Sequence, residues 1–297
     1  EGLTIASIIL GVLLGGQLVG PHLSPWLLAI DLPGIETSID TPPEAAIASL
    51  VLVYAIAAAI NLRIPHTGVR MRPLPDRTLS LLPDFWRCNA RLWRDKLGQI
   101  SLATTTLFWG VSGNMRYIVL AWAAAALHYS TTQAAGLVGV VAIGTAVGAV
   151  LASMRVRLDR AIGVMPLGVL MGALVVLMVF VDRLWLAVPF LIFMGALGGY
   201  IVVPMNALLQ HRGHNLMGAG RSIAVQNFNE QACILGLGAL YSASAGVGLS
   251  AFGAIALFGA VVIAFMLLIQ RWHRHNLRRY PGKVERLLNI ARRDRGH

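Results

Sequence analysis

Five polar or reactive side chains recur along an otherwise apolar segment of this 297-residue chain. Ser222, Gln226, Asn229, Glu230 and Cys233 recur at spacings of three and four, apart from the adjacent pair Asn229 and Glu230, which places them on one face of a helix. Such a stripe would be unstable against lipid, so it must face other helices or water. The pattern predicts either a cavity for a polar or amphipathic ligand or a buried network that only joins helices.

Arg116 and Glu230 are ionisable residues within apolar segments, where each costs on the order of 3 kcal/mol. At about 1.5 Å per residue, Arg116 lies roughly 24 Å and Glu230 roughly 20 Å along its segment, so similar depths are expected. An Arg116–Glu230 ion pair is the purely structural alternative. Because desolvation offsets much of the attraction in a buried pair, a substrate or gating role is favoured, with Asn114 and Asn206 adding amides nearby.

Other chemistry has little support in the sequence. His211 and His214 in "HRGH" are predicted to lie in a short loop without further ligands, so no metal site is expected. Arg221 is expected one turn inside its segment, where its side chain can reach the interface. No GxSxG, HExxH or GxxxxGK[ST] motif occurs, so neither a hydrolase nor an ATP-driven pump is expected, and no cofactor is predicted.

The composition is that of a membrane protein, because 57% of the residues are hydrophobic and only 12% are charged. An apolar stretch of about 20 residues can cross a hydrocarbon core of roughly 30 Å as a helix, and helices satisfy their own backbone in lipid. We therefore predict an all-α, polytopic membrane helix bundle. Its eight predicted transmembrane helices are residues 3–19, 44–61, 100–124, 133–154, 161–181, 184–209, 217–241 and 249–269.

The basic residues predict the orientation of the bundle. Of 24 Lys and Arg, eight lie at 63–96, three at 155–160 and nine after Gln270, whereas residues 20–43 carry none. Cytoplasmic loops are enriched in Lys and Arg, so both ends of the chain are expected in the cytoplasm; Arg212, in a predicted loop, agrees. The net charge of +11 then reflects topology and attraction to anionic lipids, and no nucleic-acid partner is expected.

The order of segments predicts four regions. Residues 1–62 hold two helices, 63–99 form a basic cytoplasmic loop, 100–270 hold six helices, and 271–297 form a basic tail. Within the loop, Trp86, Ala90, Trp93 and Leu97 recur at helical spacing and predict an amphipathic interfacial helix. Two six-helix halves joined by a cytoplasmic loop are typical of the major facilitator type, so the eight helices are expected to be its fifth to twelfth.

Four pairs of glycines are spaced as GxxxG, a pattern that lets two membrane helices approach closely. The pairs are Gly11 and Gly15, Gly144 and Gly148, Gly168 and Gly172, and Gly195 and Gly199. They predict tight helix packing rather than a ligand site.

Two long motifs resemble a known family. "LFWGVSGNMRYIVLAW" at 107–122 and "GGYIVVPMNALLQHRGHNLMGAGRSIAVQNFNE" at 198–230 are similar to stretches of the bacterial lysophospholipid transporters, which are major facilitator proteins. The resemblance extends from the first segment to about Trp272. Arg221 and the long basic tail depart from the family pattern, which leaves the head-group preference open.

The resemblance implies inward movement of lysophospholipids, chiefly 2-acyl-glycerophosphoethanolamine, across the bacterial inner membrane. Their reacylation would follow in the cytoplasm, by the acyltransferase and acyl-carrier-protein synthetase Aas. Arg116 matches an arginine implicated in head-group recognition, and Glu230 matches a glutamate of the family. Substrate contacts are therefore expected at Arg116, Glu230, Gln226, Asn229, Asn114 and Asn206.

Two other functions remain open from the sequence. A multidrug or other solute efflux carrier of the same fold would use the polar stripe for an amphipathic cation. A non-transporting membrane scaffold would recruit an acyltransferase through the basic loop and tail.

Overall fold

The computed structural model describes Leu18 and residues 24–28, 41–64 and 81–293. Most of these residues are helical, and no strand occurs among them. They fall into two compact units. The expected first span, 3–19, and the Gly11/Gly15 pair lie outside the described residues.

The first unit contains α1 (Ser24–Leu28) and α2 (Pro42–Asn61). Glu44 Oε2 accepts a hydrogen bond of 2.9 Å from the backbone N–H of Thr41 at the start of α2. Pro42 occupies the first turn, where its missing N–H costs nothing. Both features explain why the helix begins here.

Within residues 81–293, the second unit contains eight further α-helices. They are α3 (Leu81–Arg94), α4 (Gly98–Ala126), α5 (Thr131–Arg155), α6 (Pro166–Leu177), α7 (Leu184–Met217), α8 (Ala219–Gly246), α9 (Ala251–Arg279) and α10 (Pro281–Arg293). Short 3-10 helices, Leu158–Val164 and Met178–Phe180, flank α6. Helix α4 contributes much of the core, and its fully buried Trp122 donates from Nε1 to the Val181 carbonyl oxygen at 3.2 Å.

Five helical segments among the described residues are long and apolar enough to cross a membrane. They are Glu44–Asn61, Gln133–Arg155, Leu158–Phe180, Leu184–Met217 and Ala251–Arg279. Helices α4 and α8, with 29 and 28 residues, are also long enough to cross a membrane, but they carry more polar side chains. The prediction of a membrane helix bundle is confirmed, whereas the count of eight spans stays a prediction.

The glycine pairs pack two pairs of helices tightly. A Cβ atom added to Gly144 or Gly148 on α5 would collide with the backbone carbonyls of Ile192 and Ala196 on α7. Gly195 and Gly199 on α7 meet the carbonyls of Val141 and Thr145 on α5 in the same way, while Gly168 and Gly172 contact Met266 and Ile263 on α9. The predicted role in close packing is confirmed for these three pairs.

The prediction of a loop at "HRGH" is wrong. Helix α7 continues through His211 and His214 to Met217 and ends at Gly218, whose φ of +85° suits glycine. Pro189 and Pro204 both lie inside this 34-residue helix without ending it. A hydropathy pattern shows where the apolar residues end. A helix can continue beyond that point with polar residues, as α7 does.

Candidate functional site

The polar stripe of α8 points into the bundle. Ser222, Gln226 and Glu230 are buried, with 2%, 6% and 7% of their surfaces exposed. Asn229 and Cys233 are partly buried. The inward orientation predicted from the spacing is therefore present in the structure.

Gln226 is the centre of a hydrogen-bonded chain between α7 and α8. Its Nε2 donates to Asn206 Oδ1 at 2.7 Å and to Glu230 Oε1 at 2.8 Å. The remaining oxygen, Gln226 Oε1, and the Ser222 hydroxyl are buried and make no hydrogen bond within the described part of the chain. Because buried polar atoms are normally satisfied, these two can accept a hydrogen bond from a ligand or water.

Arg116 lies on an exposed face of α4. Its Nη2 donates to the Tyr117 hydroxyl at 3.1 Å, and the guanidinium carbon is 4.9 Å from the centre of the Tyr117 ring. The guanidinium keeps further N–H donors that can bind a phosphate or carboxylate in a bidentate manner. Arg116 is thus a cation available to an anionic ligand.

Arg116 and Glu230 do not form the ion pair considered from the sequence. A Cβ at Gly110 on α4 would meet Cys233 on α8, so these positions are level. Glu230 lies three residues before Cys233 on α8, and Arg116 lies six residues after Gly110 on α4. The two offsets run in opposite directions from the same level, so they add. Nine helical positions separate them, roughly 14 Å at about 1.5 Å per residue, so the similar depths predicted from segment ends are wrong.

Asn114 joins α4 to α8. Its Nδ2 donates to the Gly110 carbonyl at 2.8 Å and across the interface to the Ile234 carbonyl at 3.0 Å. A Cβ added to Gly238 would lie 2.8 Å from Asn114 Oδ1, so the glycine makes room for the amide. The side chain proposed for a substrate contact therefore connects two helices.

Asn229 binds α3 rather than facing the Gln226 chain. Its Nδ2 donates to Asn89 Oδ1 at 2.9 Å and to the Val225 carbonyl at 2.8 Å, and its Oδ1 accepts from Trp93 Nε1 at 3.2 Å. Nearby, the rings of Phe85 and Trp86 contact Phe228 edge to face. The amphipathic segment is helical from Leu81 to Arg94 and packs on the bundle through these contacts, but Leu97, which was predicted to belong to it, lies in the turn before α4.

A buried ion pair lies beside α3, and the sequence analysis did not identify it. Arg212 on α7 donates from Nη2 to Asp95 Oδ2 at 2.7 Å and from Nε to Asp95 Oδ1 at 3.2 Å. Asp95 Oδ1 also accepts from the backbone N–H of Leu97 and Gly98 at the start of α4. An Asp just before a helix is a capping signal. It could have indicated the hydrogen bonds between Asp95 and the start of α4, but not the pairing with Arg212.

Arg221 forms a partly exposed ion pair with Asp84 of α3, with an Nη2–Oδ2 distance of 2.8 Å. The side chains remain 41% and 36% exposed. Arg221 lies in the first turn of α8, and its partner is a carboxylate on α3; its place at a membrane interface stays a prediction. Among the residues that the structure describes, no group of three His, Cys, Asp or Glu side chains could hold a metal ion.

An apolar cavity of about 340 Å³ opens between α3, α4, α8 and α9. Its lining is almost entirely carbon, from Trp93, Ala103, Thr106, Leu107, Cys233, Leu237, Phe265, Leu268, Ile269 and Trp272. The Trp93 and Trp272 rings are stacked, with centroids 6.1 Å apart. A hydrocarbon chain matches this lining chemically.

These features define the class as a multi-pass helical membrane protein with polar residues gathered inside its bundle. Comparison with known proteins makes the class more specific. The chain is 36% identical, over 243 residues, to the lysophospholipid transporter LplT of Yersinia pestis strain Pestoides F. The same identity is found with LplT of Yersinia pseudotuberculosis strains YPIII and PB1/+.

The matches cover 82% of this chain and 55% of each relative, so the chain spans about half the length of the curated relatives it matches. The resemblance to lysophospholipid transporters drawn from the two motifs is confirmed, and the relatives are named as transporters rather than enzymes. No protein-family model matches the chain, and no solved structure matches it.

Proposed function

We propose that the protein containing this chain is a lysophospholipid transporter that moves lysophospholipids inward across a bacterial inner membrane. The observation that carries the proposal is the 36% identity to LplT over 82% of the chain. The exposed guanidinium of Arg116 and the buried chain around Gln226 support it, because an amphipathic substrate needs both an anion-binding group and a shielded path.

We further propose a major facilitator architecture in which the eight predicted spans are the fifth to twelfth helices. Helices α4 and α8 would be spans despite their polar residues, because Ser222, Gln226 and Glu230 are buried and the exposed Arg116 would face a cavity rather than lipid. Both ends of the chain would be cytoplasmic, according to the distribution of Lys and Arg.

Within this proposal Arg116 holds the substrate phosphate. Its planar guanidinium can donate two parallel hydrogen bonds to a phosphate, which an ammonium group does not reproduce. Gln226, Glu230 and Asn206 form the gating or cavity-tuning group. Asn114 and Asn229 contribute indirectly, since their amides hold α8 against α4 and α3.

Aas or a similar acyltransferase would consume the substrate on the cytoplasmic side. Consumption keeps the inside concentration low, so net inward flow requires no cofactor on this chain.

The decisive experiment is uptake of labelled lysophosphatidylethanolamine by spheroplasts that express the full-length protein. We expect Arg116→Ala to reduce uptake by at least tenfold and Arg116→Lys to restore only part of it. Arg160→Ala, an exposed arginine outside α4, is the matched control and should stay within twofold of the parent at equal membrane abundance.

Two results would contradict the assignment. Absence of uptake by the unmodified protein, together with proton-dependent drug export lost in Glu230→Gln, would identify an efflux carrier. Recovery of an acyltransferase with Arg116→Ala protein, without lipid movement by any variant, would identify a scaffold.

A further inference from the structure

The C-terminal helix α10 is amphipathic, and its apolar side packs on protein. Val284, Leu287 and Ala291 are buried, and Val284 and Leu287 form a hydrophobic cluster with Leu97 from the α3–α4 turn. Ile162, in the 3-10 helix before α6, packs against the same cluster. Since these apolar side chains are already covered, α10 does not need to insert them into lipid.

Polar contacts fix α10 in the same position. Arg292 Nε donates to Asp159 Oδ2 at 3.1 Å, and Arg157 Nε lies 3.3 Å from Asp159 Oδ1. At the other end of α10, the Lys96 ammonium lies 4.6 Å from the centre of the Tyr280 ring. The helix is therefore held against the bundle at both ends, and its orientation is defined.

The exposed residues around the junction of α9 and α10 are mostly cationic. Arg271, Arg274 and Arg278 recur at spacings of three and four and share a face of α9. Together with three neighbours they form a surface, here called the tail surface, made of Arg271, Arg274, Arg278, Arg279, Lys283 and Arg286, all exposed. Within residues 81–293, no carboxylate forms an ion pair with any of them.

The position of the tail surface along α9 points to a membrane surface. The first 20 residues of α9, up to Gln270, carry no charge. At about 1.5 Å per residue they extend roughly 30 Å, which equals the hydrocarbon core. The first arginine, Arg271, therefore emerges at the level of the lipid head groups, and α9 then continues into α10.

We propose that the tail surface binds the phosphate groups of anionic phospholipids in the leaflet from which α9 emerges. The proposal goes beyond transport, because it concerns bilayer lipids that are not the transported substrate. Each Lys or Arg near an anionic leaflet strengthens binding about fivefold, and here the end of α9 and the docked helix α10 together carry six exposed cations. The alternative is that the tail surface binds an acidic protein, and the experiment must distinguish this from lipid binding.

The experiment measures lipid binding to the purified full-length protein in neutral detergent by native mass spectrometry. Phosphatidylglycerol and phosphatidylcholine with identical acyl chains are the probes. The test variant combines Arg271→Gln, Arg274→Gln and Arg278→Gln. The matched control removes the same charge from exposed arginines of α3 and the α5–α6 connection, as Arg91→Gln, Arg94→Gln and Arg160→Gln.

We expect the parent to bind phosphatidylglycerol at least tenfold more tightly than phosphatidylcholine. The test variant should lose at least tenfold in affinity for phosphatidylglycerol, while the control changes by less than threefold. Equal losses in the two variants, or no preference between the two lipids, would overturn the proposal. So would an acidic protein that co-purifies with the parent and is lost in the test variant, while lipid binding is unchanged.

Discussion

At the residue scale, burial and pairing divide the charged groups into different roles. Asp95 and Arg212 are almost fully buried and joined by two hydrogen bonds, whereas Asp84 and Arg221 pair while partly exposed. Arg116 is exposed and bonded to a neighbouring tyrosine rather than to a carboxylate. Of the two arginines on α4 and α8, Arg221 is paired with a carboxylate and Arg116 is not, so Arg116 is the residue assigned to the substrate anion in the transport proposal.

The buried ion pair predicts a large effect on stability. Arg212→Ala leaves the Asp95 carboxylate buried without its partner, and breaking such a pair costs about 3–5 kcal/mol. We expect a decrease of that size in the free energy of unfolding, measured by denaturant titration of the protein in mild detergent.

Arg221→Ala is the matched control, because it also removes an arginine paired with a carboxylate of α3 or its following turn. Its partly exposed pair should contribute less than about 1 kcal/mol. Equal destabilisation by the two substitutions would contradict the difference in burial. The double variant Asp95→Asn with Arg212→Met should recover part of the loss, since it removes both charges.

At the scale of elements, α5 and α7 are held together by small residues that interleave. Glycines on each helix face backbone carbonyls of the other, which allows contact closer than any side chain would permit. Dispersion over the interface replaces the hydrophobic driving force that is absent in lipid. The spacing of the glycines predicts close packing, and the structure shows which two helices pack together.

Gly148→Val tests this packing. The new side chain would collide with the Ala196 carbonyl on α7, so the two helices must separate, at a cost of about 1–3 kcal/mol typical of overpacking. Helix unfolding in detergent, followed by circular dichroism, is the measurement.

Gly136→Ala on the same helix is the control. Nothing lies within 4 Å of a Cβ at Gly136, and alanine favours a helix by about 1 kcal/mol over glycine. That variant should be as stable as the parent or more so, and a loss similar to that of Gly148→Val would contradict the packing argument.

At the scale of the whole molecule, the two ends of the second unit differ in charge. The α3–α4 turn, the 3-10 helix before α6 and α10 meet at one end, where Leu97, Ile162 and Val284 pack together. The α4–α5 connection, with exposed His128, lies at the other end of α4. The positive-inside rule therefore predicts that the end that carries α10 lies in the cytoplasm.

Single cysteines test this orientation. In a background with Cys88 and Cys233 replaced by alanine, Glu285→Cys on α10 should react with an impermeant maleimide only in inverted vesicles. His128→Cys should react only in intact spheroplasts. Labelling of both positions after detergent treatment controls for access, and labelling of Glu285→Cys in intact spheroplasts would reverse the proposed orientation.

The sequence predicted features that depend on local order. Hydropathy over about 19 residues indicated membrane helices, and spacings of three and four indicated the inward stripe of α8 and the amphipathic α3. The same local signals gave a wrong prediction at "HRGH". The polar residues there are typical of a loop, but they belong to the end of helix α7. Helix α9 likewise continues beyond the predicted span 249–269, through Arg271 to Arg279.

The sequence by itself determined the class of protein, most of its helices and the face of α8 that is polar, because these follow from periodicity along one segment. Only the tertiary structure decided which polar groups meet. Asp95 pairs with Arg212, 117 positions away, and Asn229 with Asn89, 140 positions away. It also decided that roughly 14 Å separate Arg116 from Glu230 along the helices. Such pairings depend on the register between helices, which is set by how their side chains and glycines pack and is not encoded in any one segment.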